Sequence, residues 1–148
     1  MRFLALVTLA AGLGGLSSLV GTQGQASDNA DAAVPSRALT EPTAVVELFT
    51  SQGCSSCPTA DAVLSQLTKR DDIIALSLSV DYWDYLGWKD TLANPKFTER
   101  QRAYGKVRGD GAIYTPQLVV NGLAHVNGSD EGQIGRLIDK TAKMLSSS

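Results

Sequence analysis

Two cysteines, one histidine and an aromatic share of 6% are what this 148-residue chain has least of, and each scarcity closes a route. Two cysteines are too few for the multi-bridge framework that holds small extracellular scaffolds together. One histidine leaves no paired-histidine metal motif, and the chain has neither a Gly-x-Ser-x-Gly turn nor a Walker loop. The usual signatures of metallopeptidase, serine hydrolase and nucleotide-binding chemistry are therefore missing. The formal charge is only −2, with no basic excess, so neither nucleic acid nor an anionic membrane is an expected partner. Beyond Val20 no apolar run is long enough to span a bilayer.

What is present suits one globular domain: 43% apolar residues against 19% charged give a core of ordinary size. Met1-Arg2 precedes an uncharged run from Phe3 to Val20, and Gly24-Gln25-Ala26 forms a small-x-small cleavage site. Residues 1–26 thus read as a secretory signal, a retained N-terminal anchor being the alternative. Either way the domain is expected outside the cytoplasm, periplasmic or secreted. Cleavage removes only Arg2 among charged residues, which leaves a net charge of −3. Residues 27–41 are small, polar and proline-containing and read as a flexible leader, with the folded domain over 42–145.

Within that domain the hydrophobic period alternates between strand and helix. Residues 44–50 form a β-rich, mostly apolar run, the pattern of a strand covered on both faces. After the cysteines and Pro58, Ala60, Val63, Leu64 and Leu67 recur at helical spacing and end in Lys69-Arg70, which suits the negative end of a helix dipole. Residues 73–80 read as a second strand, with Ile74, Leu76, Leu78 and Val80 expected on a deeply buried face. The resulting βαβ unit is right-handed by the crossover rule.

An aromatic-rich loop, Asp81 to Trp88, follows. Asn94-Pro95 opens a polar helix to about Lys106, which Gly109-Asp110-Gly111 ends. Residues 117–120 and 123–126 around Asn121-Gly122 read as a hairpin with a two-residue type I′ turn. A last helix after Ser129 presents Ile134, Leu137, Ile138, Thr141 and Leu145 on one side.

The cysteines, Cys54-Ser55-Ser56-Cys57, fall at the junction of the first strand and helix. Backbone N–H groups and the helix dipole favour an anion there, so the first cysteine can ionise near neutral pH. Cys54 is the candidate nucleophile. Cys57, one turn later, is placed to resolve a mixed disulfide. A purely structural bridge is the competing reading, but chain entropy gives only about 1.9 kcal/mol for a four-residue loop against roughly 3 for fifteen residues, a poor staple.

The element order resembles the thioredoxin topology, an α/β fold with a central mixed sheet of about four strands flanked by helices. That resemblance implies a cis-proline beside the cysteines, for which Pro116 of Tyr114-Thr115-Pro116-Gln117 is the candidate, with Thr115 as its peptide-binding neighbour. It also implies a carboxylate in the first strand beneath the disulfide, carrying a proton for the resolving cysteine. Glu47 is the candidate, and a salt-bridged or edge residue is its alternative. His125 reads as a half-exposed packing residue, or as a third ligand with Cys54 and Cys57 for Cu(I), which prefers soft sulfur. Trp83, Trp88, Tyr82 and Tyr85 are candidates for a substrate groove or for core.

Residues 46–58, residues 80–90 and Tyr114-Thr115-Pro116-Gln117 together resemble a bacterial family of secreted thioredoxin-like proteins defined as a domain of unknown function, over about residues 43–130. Thr59 stands where its members tend to have a second proline, and members continue into a further β-rich region. The expected function is an exported thiol–disulfide oxidoreductase working on protein thiols or disulfides, with a membrane redox partner as electron donor if it reduces. No cofactor or resident metal is called for, and a monomer is expected. The alternatives are a copper-binding or delivery protein using Cys54, Cys57 and His125, and an interaction domain with a structural disulfide.

Overall fold

The computed structural model describes residues 41–147. The signal expected over 1–26, and the leader expected over 27–41 apart from Glu41, lie outside the described residues. The first strand, β1 (Ala44–Thr50), runs through the middle of a sheet that also holds β2 (Ile73–Ser79), β3 (Gln117–Val120) and β4 (Ala124–Asn127). The strand order is β2-β1-β3-β4. β1 and β2 are parallel, while β3 is antiparallel to both β1 and β4. A parallel pair needs a crossover, and α1 (Cys57–Leu67) supplies it. The mixed sheet and its helices are those of a thioredoxin-like α/β fold.

Alternation along β1 builds two cores. Ala44, Val46 and Leu48 pack with Ala60, Val63 and Leu64 of α1 and with Ile134 and Ile138 of α3 (Glu131–Ser146). Phe49, on the opposite face, packs with Leu78, Val80 and Val119, and this second cluster is lined by Tyr82, Trp83, Phe97 and Tyr104. Phe97 and Tyr104 belong to α2 (Pro95–Arg108), whose buried positions are the polar or small Thr98, Gln101 and Gly105. Such a helix is held less by an apolar stripe than by side-chain bonds and close backbone approach: a Cβ on Gly105 would lie 3.3 Å from the Ala112 carbonyl oxygen.

α1 ends at Leu67, capped at Thr68, so Lys69-Arg70, expected in its last turn, lie beyond it, whereas α2 is bounded as the sequence indicates. Asn94 caps α2 through Oδ1, which accepts from the Lys96 N–H at 3.0 Å, and Gly109 ends it with φ of 80°. The Asp130 carboxylate caps α3 by accepting from the Gln133 N–H at 2.9 Å. In the hairpin, Asn121 and Gly122 both have positive φ, 52° and 69°, as a type I′ turn requires. The second strand of the hairpin begins at Ala124 rather than Leu123, because β3 and β4 first pair at Val120 and Ala124.

The burial expected of β2 is also corrected. Leu78 and Val80 are buried, but Ile74 and Leu76 on the same face of β2 are 44% and 41% exposed. β2 is an edge strand, and α2 with the aromatic loop covers only its C-terminal half. Among the described residues no helix is long and apolar enough to cross a membrane.

Candidate functional site

Where β1 ends, the chain leaves the sheet through Ser51-Gln52-Gly53 and turns into α1. Two successive turns shape the connection: the Cys54 N–H donates to the Ser51 carbonyl at 3.1 Å, and the Cys57 N–H donates to the Cys54 carbonyl at 3.1 Å. Cys57 is thereby the first residue of α1, with Ser56 at the N-cap position, and Cys54 sits in the turn ahead of the helix. The two sulfurs form a disulfide with a Cα–Cα separation of 5.4 Å. Cys54 is 3% exposed and Cys57 fully buried. Ser56 Oγ lies 3.6 Å from Cys54 Sγ, within reach for a hydroxyl–sulfur contact.

The Thr115–Pro116 peptide is cis. Gly128 brings this segment to the start of α1. Its N–H donates to the Pro116 carbonyl at 3.0 Å, and a Cβ there would lie 2.7 Å from Leu48 Cδ1, 2.9 Å from Ala60 Cβ and 3.5 Å from Pro116 Cβ. Only a residue without a side chain lets β1, α1 and Pro116 converge so closely. On the far side, Gln101 Nε2 of α2 donates to the Tyr114 carbonyl at 2.8 Å and to Gln117 Oε1 at 2.9 Å, while Gln117 Nε2 donates to the Ala112 carbonyl at 3.2 Å. The segment before Pro116 is pinned by buried amides, which satisfy backbone groups that no strand would satisfy.

The aromatic loop closes the site. Trp83 Nε1 donates to Thr115 Oγ1 at 2.8 Å, and the Trp83 Cβ packs 3.1 Å from where a Gly53 Cβ would stand. Trp83 therefore spans from the residue before Cys54 to the residue before Pro116. Tyr82 and Trp83 pack against the second core, whereas Tyr85 and Trp88 are 78% and 54% exposed.

Asp90, at the end of the same loop, is a functional candidate that the sequence reading passed over. It is 1% exposed, and all its carboxylate partners are donors: the Gln52 N–H at 2.9 Å and the Ser51 hydroxyl at 3.4 Å on Oδ2, and the Leu92 N–H at 2.8 Å on Oδ1. Its own N–H donates to Asp84 Oδ1 at 3.1 Å. The one signal in the sequence was its place at the close of the 80–90 block, which carries no local pattern for a tertiary contact with residues 51 and 52.

Of the two places open to Glu47, the structure shows the ion-paired one. The residue is 2% exposed on the α2 side of β1; Arg100 Nε donates to Oε1 at 2.6 Å and the Tyr104 hydroxyl donates to Oε2. Both oxygens are taken by α2, and neither cysteine is among its hydrogen-bond partners. Burial first, and then the Glu47 carboxylate, push the Tyr104 phenol up to about 12.

His125 is also committed elsewhere. Nδ1 meets the Tyr114 hydroxyl at 2.7 Å and Nε2 meets Asp110 Oδ2 at 3.1 Å. Arg108, and then the Ala112 N–H, hold Asp110 well below the usual carboxylate range. Cys54, Cys57 and His125 do not converge, and among the described residues no three His, Cys, Asp or Glu side chains gather as a metal-ligand set.

Comparison with known proteins gives a family and two relatives. Residues 45–148 match a family described as protein of unknown function (DUF1223). A probable thioredoxin from Archaeoglobus fulgidus is 33% identical over 97 residues, covering 65% of this chain and 87% of that protein. The crystal structure of a protein from Agrobacterium tumefaciens is similar with a TM-score of 0.66 and 46% identity, covering 71% of this chain and 47% of the other. The chain thus spans about half the length of that solved relative.

Proposed function

Because the chain belongs to the DUF1223 family of proteins of unknown function and has a thioredoxin-like fold, we propose that it is an exported thiol–disulfide oxidoreductase acting on protein thiols and disulfides. The observation that carries this reading is the Cys54–Cys57 disulfide at the β1–α1 junction, beside the segment holding Pro116. The similarity to a probable thioredoxin supports the same chemistry. Export rests on the N-terminal apolar run and the cleavage site at Ala26.

In the reducing direction, the Cys54 thiolate attacks one sulfur of a substrate disulfide and expels the other as a thiolate, leaving a mixed disulfide on Cys54. Cys57 then gives up its proton, attacks Cys54 Sγ and expels the second substrate thiolate. Two electrons pass from the dithiol to the substrate, and the protein is left with the disulfide bond seen here. Oxidation is the same sequence reversed. Ser56 Oγ, 3.6 Å from Cys54 Sγ, is placed to donate to the thiolate. Thr115 and Pro116 are the proposed peptide-facing residues, with the Thr115 hydroxyl already accepting from Trp83.

The test is the reduction potential of the Cys54–Cys57 pair, by equilibration in glutathione buffers and trapping of free thiols. A value between about −120 and −270 mV is expected for an exchanging pair. A value well below about −300 mV would mark an inert structural bridge and end this reading.

A further inference from the structure

The loop that delivers Cys54 is fastened to a buried carboxylate that the exchange chemistry does not use. Asp90 receives the Gln52 N–H and the Ser51 hydroxyl, and the Ser51 hydroxyl oxygen in turn accepts from the Gly53 N–H at 3.0 Å. Each of the three residues ahead of Cys54 is thus tied to Asp90 directly or through one hydroxyl. An amide in place of the carboxylate would turn a donor toward one of three donors, so this geometry requires an acceptor-only group.

None of the described ion pairs joins Asp90 to a cation, its sequence neighbour Lys89 included. The other acids around it are bonded to neutral groups, Asp61 accepting from the Thr50 hydroxyl at 2.9 Å, Asp84 from the Asp90 N–H at 3.1 Å and Asp81 from Thr98 at 2.5 Å. Gln52 N lies 2.9 Å from Asp90 Oδ2, and two residues of chain reach at most about 7 Å, so the carboxylate is within about 10 Å of the Cys54 backbone. The Cys54 sulfur stands up to about 4 Å beyond the backbone nitrogen, and at about 14 Å and an effective dielectric constant of about 20 a negative charge disfavours ionisation of the thiol by about sevenfold.

We propose that Asp90 is the positioning residue of the Cys54 loop and that its buried negative charge disfavours the Cys54 thiolate, poising the pair toward the disulfide and making the dithiol a reductant. This rests on the exchange reading above and gives it a direction. The charge opposes the pull of the α1 N-terminus on the thiolate; the bonds to residues 51 and 52 keep the loop at the mouth of the helix.

The experiment compares the full-length protein with Asp90→Asn in glutathione redox buffers at pH 8, and follows the pH dependence of Cys54 alkylation in both. The expected result is a shift of the equilibrium toward the dithiol by about fivefold to tenfold, tenfold being about 30 mV for this couple. The alkylation midpoint should fall with it. Potentials equal within twofold, or a shift toward the disulfide, would overturn the proposal. If the variant does not fold, the carboxyl-carbon NMR signal of Asp90 in the reduced wild-type protein should step at the midpoint of Cys54 alkylation, and a signal that does not follow it overturns the proposal equally. The difference between variant and wild type is defined even for an inert bridge, whereas turnover of a protein disulfide by the wild type tests the exchange reading, so the two fail separately.

Discussion

The indole of Trp83 and the hydroxyl of Thr115 are joined at 2.8 Å, across a gap that has Gly53-Cys54 on one side and Pro116 on the other. Trp83 packs against Gly53, the residue before Cys54, and Cys54 is only 3% exposed in the disulfide, which makes Trp83 the candidate wall of the approach to its sulfur. Trp83→Ala should open the wall and speed reduction of the disulfide by a small thiol severalfold, since exchange depends on access. Thr115→Val removes the hydroxyl that accepts from Trp83 at nearly constant volume and should cost about 0.5–1.5 kcal/mol, the usual net worth of a hydrogen bond, since both residues are half-buried. Stopped-flow reduction and denaturant unfolding check the pair; equal reduction rates would show that Trp83 does not guard the sulfur.

Cys57 is fully buried at the first position of α1, and Cys54 stands ahead of it. Cys57→Ala should therefore accumulate mixed disulfides through Cys54 with protein substrates, while Cys54→Ala should accumulate none. Non-reducing electrophoresis with mass spectrometry of the trapped bond reads the outcome, and trapping through Cys57 would reverse the assigned roles.

Gly128 sits where three elements meet, with Leu48 Cδ1 2.7 Å and Ala60 Cβ 2.9 Å from any added Cβ. Neither neighbour is a flexible chain end in open space, so Gly128→Ala should destabilise the domain by about 1–3 kcal/mol through overpacking. Since the displaced elements carry Pro116 and the start of α1, exchange rates should fall as well. Unchanged unfolding midpoints would mean that α1 and β1 separate more easily than the packing implies.

The Tyr104 phenol, pushed up to about 12, binds its proton more tightly in the folded chain than in the unfolded one, where its ordinary value is 10.0. Its contribution to stability is complete below about pH 10 and is lost as the pH rises from about 10 to about 12. Denaturant unfolding across that window should show a decline that Tyr104→Phe flattens. Persistence of the full decline in the variant would assign it to other groups.

The elements were legible because their period and their punctuation agree. Residues 44–50 are strand from end to end, Asn94-Pro95 opens α2 and Gly109 ends it, and Asn121-Gly122 turns the hairpin. Of the candidate site, local motifs located Cys54 and Cys57 at the β1–α1 junction and the cis bond before Pro116. Glu47 marks the limit. An acid in an apolar strand announces a partner, but whether that partner is a cysteine or Arg100, 53 positions away, depends on which face of the sheet it occupies. The exposure of Ile74 and Leu76 was equally out of reach, because alternation shows which residues share a face and not how far the facing helix extends along it.

The sequence by itself determined the strand–helix order and the junction at which Cys54 and Cys57 stand, since both follow from hydrophobic period, caps and turns within a few residues. Only the tertiary structure decided which distant residues enclose that junction: Trp83 against Thr115, Gly128 beneath Pro116, and Asp90 beneath Gln52. The physical reason is range. A cap or a turn is satisfied by its own neighbours, whereas a buried carboxylate or an indole N–H takes whatever donor or acceptor the packed layers bring to it.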